Sequence, residues 1–351
     1  MASTYRMFIG TYTKAGSKGI YAVSLDGATG ALSQPELAAE APNPTYVALS
    51  PDKAHLYAVR ADAGWAGSYK VSADRRSLSP VQQGEVGTGP TPCHISVDST
   101  GAIALAANYH LGTAAAIPLE FAGRMGKPRV VAHEGKGSHP TRQTTSHVHS
   151  TYFTPDGRFA IICDLGLDRV YTYGIDRDKV SLVAGSPPFV TTDAAAGPRH
   201  LAFGKDGLQA YVITELANTI IVYDFSPANG GLTQRQTVSV LPPGFSGETT
   251  AAEVRIHPGG KFAYGSSRGS DTIAVFGIDP RTGDLSPIEF VPCGGKGPRS
   301  FTLSEDGLWL VCAHQDTSTL CSFAVDSSSG RLRRIEGTVA VSMPVCVVFA
   351  D

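Results

Sequence analysis

Four polar side chains interrupt otherwise apolar segments at corresponding positions of a sequence repeat: His149, Arg199, Glu215 and Arg268. The first two each precede a turn glycine by eight residues, and the last two each follow one by eight. A guanidinium binds a carboxylate or phosphate through paired hydrogen bonds, and an imidazole or carboxylate beside it can transfer protons. The set therefore indicates a site for a small anionic or polyhydroxylated ligand.

Arg199 and Glu215 are equally far from the turn at Gly207, so we expect them to face each other across a hairpin. A neighbouring guanidinium lowers the pKa of a carboxyl group, which favours Glu215 as a base over an acid. The alternative is that the two residues form only an ion pair that ties two strands together.

Further candidates for substrate binding lie near these residues in the same repeats or at corresponding positions of other repeats. The histidines that follow a Pro-x pair could also cap strand starts, and the amides could be turn residues. The candidates are His147, His94, His200, Asn108, Glu253, Arg299 and Gln315.

His147 and His149 are two residues apart, so on a strand their side chains point the same way. Two imidazoles in this arrangement could bind a metal, but a stable site needs more ligands, and the equivalent positions offer arginine more than carboxylates. We predict hydrogen-bonding or catalytic roles for this pair, with no metal and no cofactor.

The repeat that carries these residues consists of an apolar strand, a turn often written Pro-Asp-Gly, a second strand, a polar tip and a third strand. It recurs about every 51 residues, a period typical of repeat architectures, so seven units account for the 351 residues. The strands are short and rich in β-branched and aromatic residues, and no long helical periodicity is present. The sequence predicts an all-β, seven-bladed β-propeller with four antiparallel strands per blade.

The two ends of the chain complement each other. The sequence starts with the later strands of a unit and stops after PVCVVFA from Pro344, which has the pattern of a first strand. We expect this strand to complete the N-terminal blade and close the ring, within a single domain spanning 1–351. The irregular segment 123–145 is interpreted as a long loop.

In a propeller, the start of each innermost strand and the end of the next strand lie on the same face. The candidate residues therefore converge at one mouth of the central channel, where binding sites collect on repeat scaffolds. The four principal candidates belong to neighbouring repeats, so we predict a pocket on one side of the ring.

Composition excludes several classes of function. The formal net charge of -2 gives no reason to expect nucleic acid or a membrane surface as a partner. No apolar run of about 18 residues and no signal-peptide pattern is present. The six cysteines are scattered without a Cys-x-x-Cys pair, which argues against zinc or redox chemistry and, with the other absences, favours a cytoplasmic location.

Several segments resemble the seven-bladed propeller lactonase family, which includes propeller-type 6-phosphogluconolactonases and fungal carboxymuconate lactonising enzymes. The resemblance covers essentially the whole chain, and its most specific parts are DLGLDR and the His-x-His strand. The segments include ANYHLGT from Ala107, SHVHSTYFTPDGRF from Ser146, DLGLDRVYTY from Asp164, GPRHLAF from Gly197 and TELANTIIVYDF from Thr214.

The resemblance implies hydrolysis or formation of a lactone without a metal. It implies an active site made of a histidine of the His147/His149 strand together with Arg199, Glu215 and Arg268. These are positions that the repeat register also selects.

Our first hypothesis is a lactonase acting on a small-molecule sugar or sugar-acid lactone. Glu215 or a histidine would activate water, and Arg199 and Arg268 would bind the lactone and stabilise its oxyanion. The alternatives are a carboxymuconate-type lactonising cycloisomerase and a non-catalytic propeller that binds a ligand or a protein.

Overall fold

The computed structural model describes residues 4–61, 65–87 and 92–351. Apart from two short 3₁₀ turns, Lys14–Gly16 and Phe121–Gly123, its regular structure consists entirely of strands. The predicted all-β class is therefore confirmed. The strands are β1 (Thr4–Thr11), β2 (Gly19–Asp26), β3 (Glu36–Glu40), β4 (Pro44–Leu49), β5 (His55–Arg60), β6 (Trp65–Val71), β7 (Leu78–Gly87), β8 (Pro92–Val97), β9 (Ile103–Asn108), β10 (Thr113–Pro118), β11 (Arg129–Ala132), β12 (Val148–Phe153), β13 (Phe159–Asp164), β14 (Arg169–Asp176), β15 (Ser181–Thr191), β16 (Pro198–Phe203), β17 (Gln209–Thr214), β18 (Thr219–Ser226), β19 (Gly231–Ser239), β20 (Thr250–Ile256), β21 (Phe262–Arg268), β22 (Thr272–Ile278), β23 (Leu285–Pro292), β24 (Pro298–Leu303), β25 (Trp309–His314), β26 (Thr319–Val325), β27 (Leu332–Arg334), β28 (Val339–Ala340) and β29 (Pro344–Phe349).

The strands form seven antiparallel sheets, the blades of the predicted β-propeller. Blade 1 is β29-β1-β2-β3, and blades 2 to 6 each use four consecutive strands, from β4–β7 to β20–β23. Blade 7 is β24–β27, with the short β28 also paired to β26. Part of the segment interpreted as a loop, 123–145, is strand β11, the outer strand of blade 3.

The ring closes as predicted, because β29 adds to the N-terminal blade. It pairs antiparallel with β1, so that Met7 lies opposite Phe349 and Ile9 opposite Val347. The pairing occupies the edges of both terminal strands and joins the two ends of the chain.

The core lies between neighbouring blades. Between blades 5 and 6, for example, Ile213 and Val222 pack with Val254 and Phe276, and all four side chains are almost completely buried. β-Branched side chains suit this position because they fit the pleated surface of a strand. Complete burial of a side chain of this size stabilises the fold by about 1.5–3 kcal/mol.

The turns between first and second strands explain the repeating glycine. Gly157, Gly207 and Gly260 have φ values of 67°, 73° and 78°, in the left-handed region where glycine has no steric penalty. Lys53 has a φ of 56° at the corresponding turn of blade 2, which keeps the same geometry without a glycine. Across the described ranges, no helix is long and apolar enough to span a membrane.

Each innermost strand contains an irregularity at the same height in the channel. In five blades the irregularity is a β-bulge: one residue of the innermost strand has no partner on the second strand, and the residues on either side of it are paired. In blade 6 two residues are skipped, Ala252 and Glu253, and in blade 1 the skipped residue is Val345. The five single skipped residues are Thr45, Cys93, His149, Arg199 and Arg299.

Candidate active site

A cavity of about 480 Å³ lies at the mouth of the central channel. Its described lining comes from all seven blades, whereas the predicted pocket lay on one side of the ring. All four principal candidates line it, and so do two of the proposed substrate-binding residues, His200 and Arg299. The described lining does not include His94, His147, Asn108, Glu253 or Gln315.

The β-bulges explain why this wall is rich in functional groups. In a regular strand, consecutive side chains such as those of Arg199 and His200 would point to opposite faces. The skipped residue at each bulge re-aims the chain locally, and both side chains line the cavity. Thr45 and Tyr46 do the same in blade 2. Each inner strand can therefore present two adjacent residues to the channel.

On the side of blades 4 to 6, the cavity wall is an ion-pair network that we call the mouth cluster: Arg142, Arg199, Glu215 and Arg268. Glu215 Oε2 accepts from Arg199 Nε at 2.9 Å and lies 3.0 Å from Arg268 Nη2. Its other oxygen, Oε1, accepts from Arg142 Nη2. The predicted contact between Arg199 and Glu215 is therefore formed, as part of a larger network.

The electrostatics of the mouth cluster follow from burial and from the surplus of cations. Burial alone would raise the pKa of Glu215, but Arg268, Arg199 and the other nearby cations outweigh it and hold this pKa well below its usual range. Burial lowers the pKa of Arg199, whose Nη1 donates to the carbonyl oxygen of Ala252. Glu215 is thus a fixed anion that orients three guanidiniums.

Arg142 was not among the sequence candidates, because it lies in the irregular segment before β12, where no strand register applies. Its placement depends on the neighbouring Gln143, which is almost completely buried. Gln143 Nε2 donates to Asp168 Oδ1 at 2.6 Å and to Leu165 O at 2.8 Å, while its Oε1 accepts from the backbone of His139. No local sequence pattern identifies Arg142, because its position depends on these contacts within the folded loop.

His149 is one of three histidines in the described cavity lining, together with His110 and His200. Its Nδ1 is buried and has no hydrogen-bond partner among the described residues, so Nε2 is the ring nitrogen open to the cavity. Burial, together with the positive charge of Arg199 and the neighbouring ring of His200, lowers its pKa well below the usual value. His149 is therefore neutral at pH 7 and can accept a proton.

A second group of polar side chains adjoins the mouth cluster; we call it the channel layer: Tyr46, His94, His200, Glu253 and Arg255. Of these, Tyr46 and His200 line the cavity, and the other three do not belong to its described lining. His200 Nδ1 lies 3.1 Å from Glu253 Oε1, and Arg255 Nη2 lies 3.5 Å from Glu253 Oε2. The His94 ring packs against the Tyr46 ring, with centroids 4.2 Å apart. Burial raises the pKa of Glu253, and the cations around it oppose the rise.

The remaining candidates lie around the cavity rather than in the described part of its wall. His147 stacks on Tyr109 with ring centroids 4.3 Å apart, and its Nδ1 donates to the Tyr109 carbonyl at 3.0 Å. Asn108 is buried at the end of β9, and Gln315 Nε2 donates to Asp316 at 3.3 Å. Within the described ranges, no group of three or more His, Cys, Asp or Glu side chains is placed to hold a metal ion.

The fold and the site define a seven-bladed propeller with a polar, strongly cationic central cavity. The family described as "Lactonase, 7-bladed beta-propeller" matches residues 6–349. The chain belongs to this family, and the prediction of a lactone hydrolase is confirmed at the level of enzyme class.

Individual relatives cover nearly the whole chain. A 6-phosphogluconolactonase of Bacillus subtilis (strain 168) is 38% identical over 348 residues, which are 98% of each protein. The structure of a periplasmic gluconolactonase of Pseudomonas aeruginosa is similar, with a TM-score of 0.93, 32% identity and 99% of both chains covered. A structure from Lactobacillus plantarum has a TM-score of 0.91 and 33% identity, again over 99% of both chains.

Proposed function

We propose that the protein hydrolyses a sugar or sugar-acid lactone in the cavity at the channel mouth, without a metal. The observation that carries this proposal is the position of His149 on a cavity wall whose positive charge exceeds its negative charge. Five cationic side chains and a single carboxylate belong to the described lining: Lys14, Arg142, Arg199, Arg268, Arg299 and Glu215. The names of the relatives from Bacillus subtilis and Pseudomonas aeruginosa support the same class of substrate.

His149 is the general base of this proposal. Glu215, the other candidate, binds three guanidiniums through its two carboxylate oxygens, so neither oxygen is free to take a proton from water. The open Nε2 of His149 instead takes a proton from water while the water oxygen attacks the lactone carbonyl carbon. When the bond from this carbon to the ring oxygen breaks, the imidazolium returns the proton to that oxygen, giving the hydroxy acid.

The guanidiniums stabilise the negative charge that develops on the carbonyl oxygen. Arg268 and Arg142 line the cavity, and their side chains are 18% and 38% exposed. Glu215 fixes both in advance, so little reorganisation accompanies the reaction. The excess of positive charge also favours substrates with a carboxylate or phosphate substituent over neutral lactones.

A carboxymuconate-type cycloisomerase is the second candidate, because the same arginines could hold the carboxylates of its substrate. There His149 would transfer a proton to or from carbon instead of activating water. The names of the relatives favour the hydrolase, and they also favour an enzyme over a protein-binding propeller.

Proton release at fixed pH over a panel of lactones tests the proposal. The panel contains gluconolactone, its 6-phosphate, galactonolactone and a muconolactone, each with EDTA and with added divalent metal. We expect hydrolysis of a sugar lactone that EDTA does not abolish. Conversion of the muconolactone alone would favour the cycloisomerase, and loss of activity with EDTA would contradict the metal-free mechanism. The cytoplasmic location stays a prediction for cell fractionation.

A further inference from the structure

Two imidazoles of adjacent blades contact each other beside the mouth cluster: His149 of blade 4 and His200 of the channel layer. The ring centroids of His149 and His200 are 5.1 Å apart, with the ring planes at 64°. His149 Nδ1 and His200 Nε2 are both buried, and neither has a hydrogen-bond partner in the part of the chain that the structure describes. A buried polar atom without a partner costs about 1–3 kcal/mol, so two of them on neighbouring rings need an explanation.

The other nitrogen of His200 shows how that ring is protonated. Nδ1 faces Glu253 Oε1 at 3.1 Å, and the guanidinium of Arg255 lies 3.5 Å from the second oxygen of the same carboxyl group. Glu253 Oε1 already accepts from the backbone N–H of Val254 at 3.2 Å, and the positive charge of Arg255 favours the ionised carboxylate against the effect of burial. An ionised carboxylate can only accept hydrogen bonds, so His200 carries its proton on Nδ1 and a lone pair on Nε2.

We propose that Glu253 and His200 are positioning residues that fix the tautomer of His149. The lone pair of His200 Nε2 receives the proton of His149 Nδ1, which leaves the lone pair of His149 on Nε2, the nitrogen open to the cavity. The inference rests on the proposed role of His149 as the base. It extends that role to a chain of three groups, of which only His149 needs to touch the substrate.

The geometry allows this contact. A ring nitrogen lies about 1 Å from its ring centroid, so a centroid distance of 5.1 Å brings two facing nitrogens within reach after a small rotation or through one bridging water. No competing acceptor occupies His149 Nδ1 within the described ranges. The same contact stabilises the imidazolium that forms when His149 accepts a proton, because the buried charge of Glu253 lies two groups away.

Other charges act on the same two rings and set the pH range of any test. Burial and Arg199 lower the pKa of both histidines, while Glu215 opposes the effect. The titratable and charged groups that face the pair are Tyr46, His94, Tyr109, Tyr152, Arg199, Glu215, Glu253, Arg255 and Arg299.

Nitrogen-15 NMR of histidine-labelled protein reads the tautomer directly and does not depend on activity. The His149 signals are assigned by their loss in His149→Gln. In the wild-type protein at pH 7.5 we expect His149 to be protonated on Nδ1. In His200→Phe, which keeps a ring but removes the acceptor, we expect the Nε2-protonated form to gain population. An Nε2-protonated His149 in the wild type would overturn the proposal.

Kinetics give the second test. His200→Phe and Glu253→Gln should each lower kcat about tenfold or more, because a base in the wrong tautomer is inactive, and should leave KM within about threefold. His257→Gln is the matched control, since this buried histidine of blade 6 bonds only to backbone, at Gly307 O and Gly259 N, and should keep the wild-type kcat. Melting temperatures establish that each variant is folded.

The failures of the two proposals are distinguishable. If His149→Gln is inactive while folded His200→Phe and Glu253→Gln retain the wild-type kcat, the positioning chain is wrong and the lactonase mechanism stands. If the wild-type protein hydrolyses no lactone, the proposed function fails, and the NMR experiment still decides whether His200 sets the tautomer of His149.

Discussion

Two buried glutamates in adjacent blades, Glu215 in the mouth cluster and Glu253 in the channel layer, both lie near cations, but their pKa values are shifted in opposite directions. Glu215 contacts three guanidiniums and has a strongly lowered pKa. Glu253 has one guanidinium at 3.5 Å and one imidazole at 3.1 Å, and burial raises its pKa.

The difference separates binding from proton transfer. A saturated network such as the mouth cluster holds fixed charges in place and has no acceptor to spare. The channel layer and the adjoining His149 contain ring nitrogens without hydrogen-bond partners among the described residues. They also contain Glu253, which is easier to protonate than Glu215 because its pKa is raised. Both features suit proton transfer. The cavity therefore combines fixed cations that bind with an adjoining imidazole that reacts.

Glu215→Gln should have the largest effect on stability. It leaves Arg199 and Arg268 buried without their counter-charge, so we expect the free energy of unfolding to fall by about 3–5 kcal/mol. Urea denaturation measures the change. The matched control is Glu36→Gln, which breaks the exposed pair with Arg76 and should cost less than about 1 kcal/mol. Equal losses in the two variants would contradict the structural role of the mouth cluster.

The channel histidines should make stability depend on pH in acid. His94, His149 and His200 have folded-state pKa values well below 6.5, so below pH 6.5 the unfolded state binds protons that the folded state does not. The contribution of these histidines to the free energy of unfolding is therefore fully present above pH 6.5. It is lost as the pH falls, by about 1.4 kcal/mol per pH unit for each histidine.

Denaturation of His200→Phe between pH 6.5 and 5 tests this dependence. In this variant, the decrease in the free energy of unfolding per pH unit should be smaller than that of the wild type by about 1.4 kcal/mol. Glu253 acts with the opposite sign, since its raised pKa lets the folded state hold an extra proton in acid. A slope unchanged by the substitution would mean that His200 is not buried in its neutral form.

Arg299 lines the cavity from blade 7, with its guanidinium carbon 5.8 Å from the centroid of the Tyr12 ring. If it contacts an anionic substituent, Arg299→Ala should raise KM for a phosphorylated lactone about tenfold, the loss of one charged hydrogen bond. KM for the neutral lactone should change less than about threefold. Steady-state kinetics on the pair measure the ratio, and equal changes for both substrates would exclude an anion-specific role.

His147→Gln should have the smallest effect. The ring of His147 stacks on Tyr109 and donates to its carbonyl, and the residue does not belong to the described cavity lining. We expect kcat to fall less than about threefold. Any larger change should appear in KM, because Tyr109 lines the cavity and loses its stacking partner. A loss of kcat as large as that in His149→Gln would exchange the roles of the two histidines.

The repeat was sufficient to predict the architecture, because its period, its turn glycines and its unpaired terminal strands each have a direct structural consequence. It also placed Arg199 opposite Glu215, since equal distances from a turn imply cross-strand neighbours. Regular strand alternation puts His147 and His149 on the same side, yet only His149 belongs to the described cavity lining. His147 lies outside the strand, because β12 begins at Val148, and the register shift at His149 also interrupts the alternation. Neither feature leaves a clear trace in local residue patterns.

Arg142 is a second site feature that the sequence did not predict. Its position depends on a loop held by Gln143 and Asp168, which are distant in sequence, and a hydrophobic pattern contains no information on such contacts. The partnerless nitrogens of the channel depend in the same way on the relative orientation of rings from different blades.

The central claim is that an imidazole, and not Glu215, activates water. The most direct test is the steady-state kinetics of folded His149→Gln on the best lactone of the panel. We predict a kcat lower than that of the wild type by about 10²- to 10⁴-fold, the usual contribution of a general base, with KM within about threefold. A kcat within threefold of the wild-type value would contradict the account and would mean that another residue of the cavity is the general base.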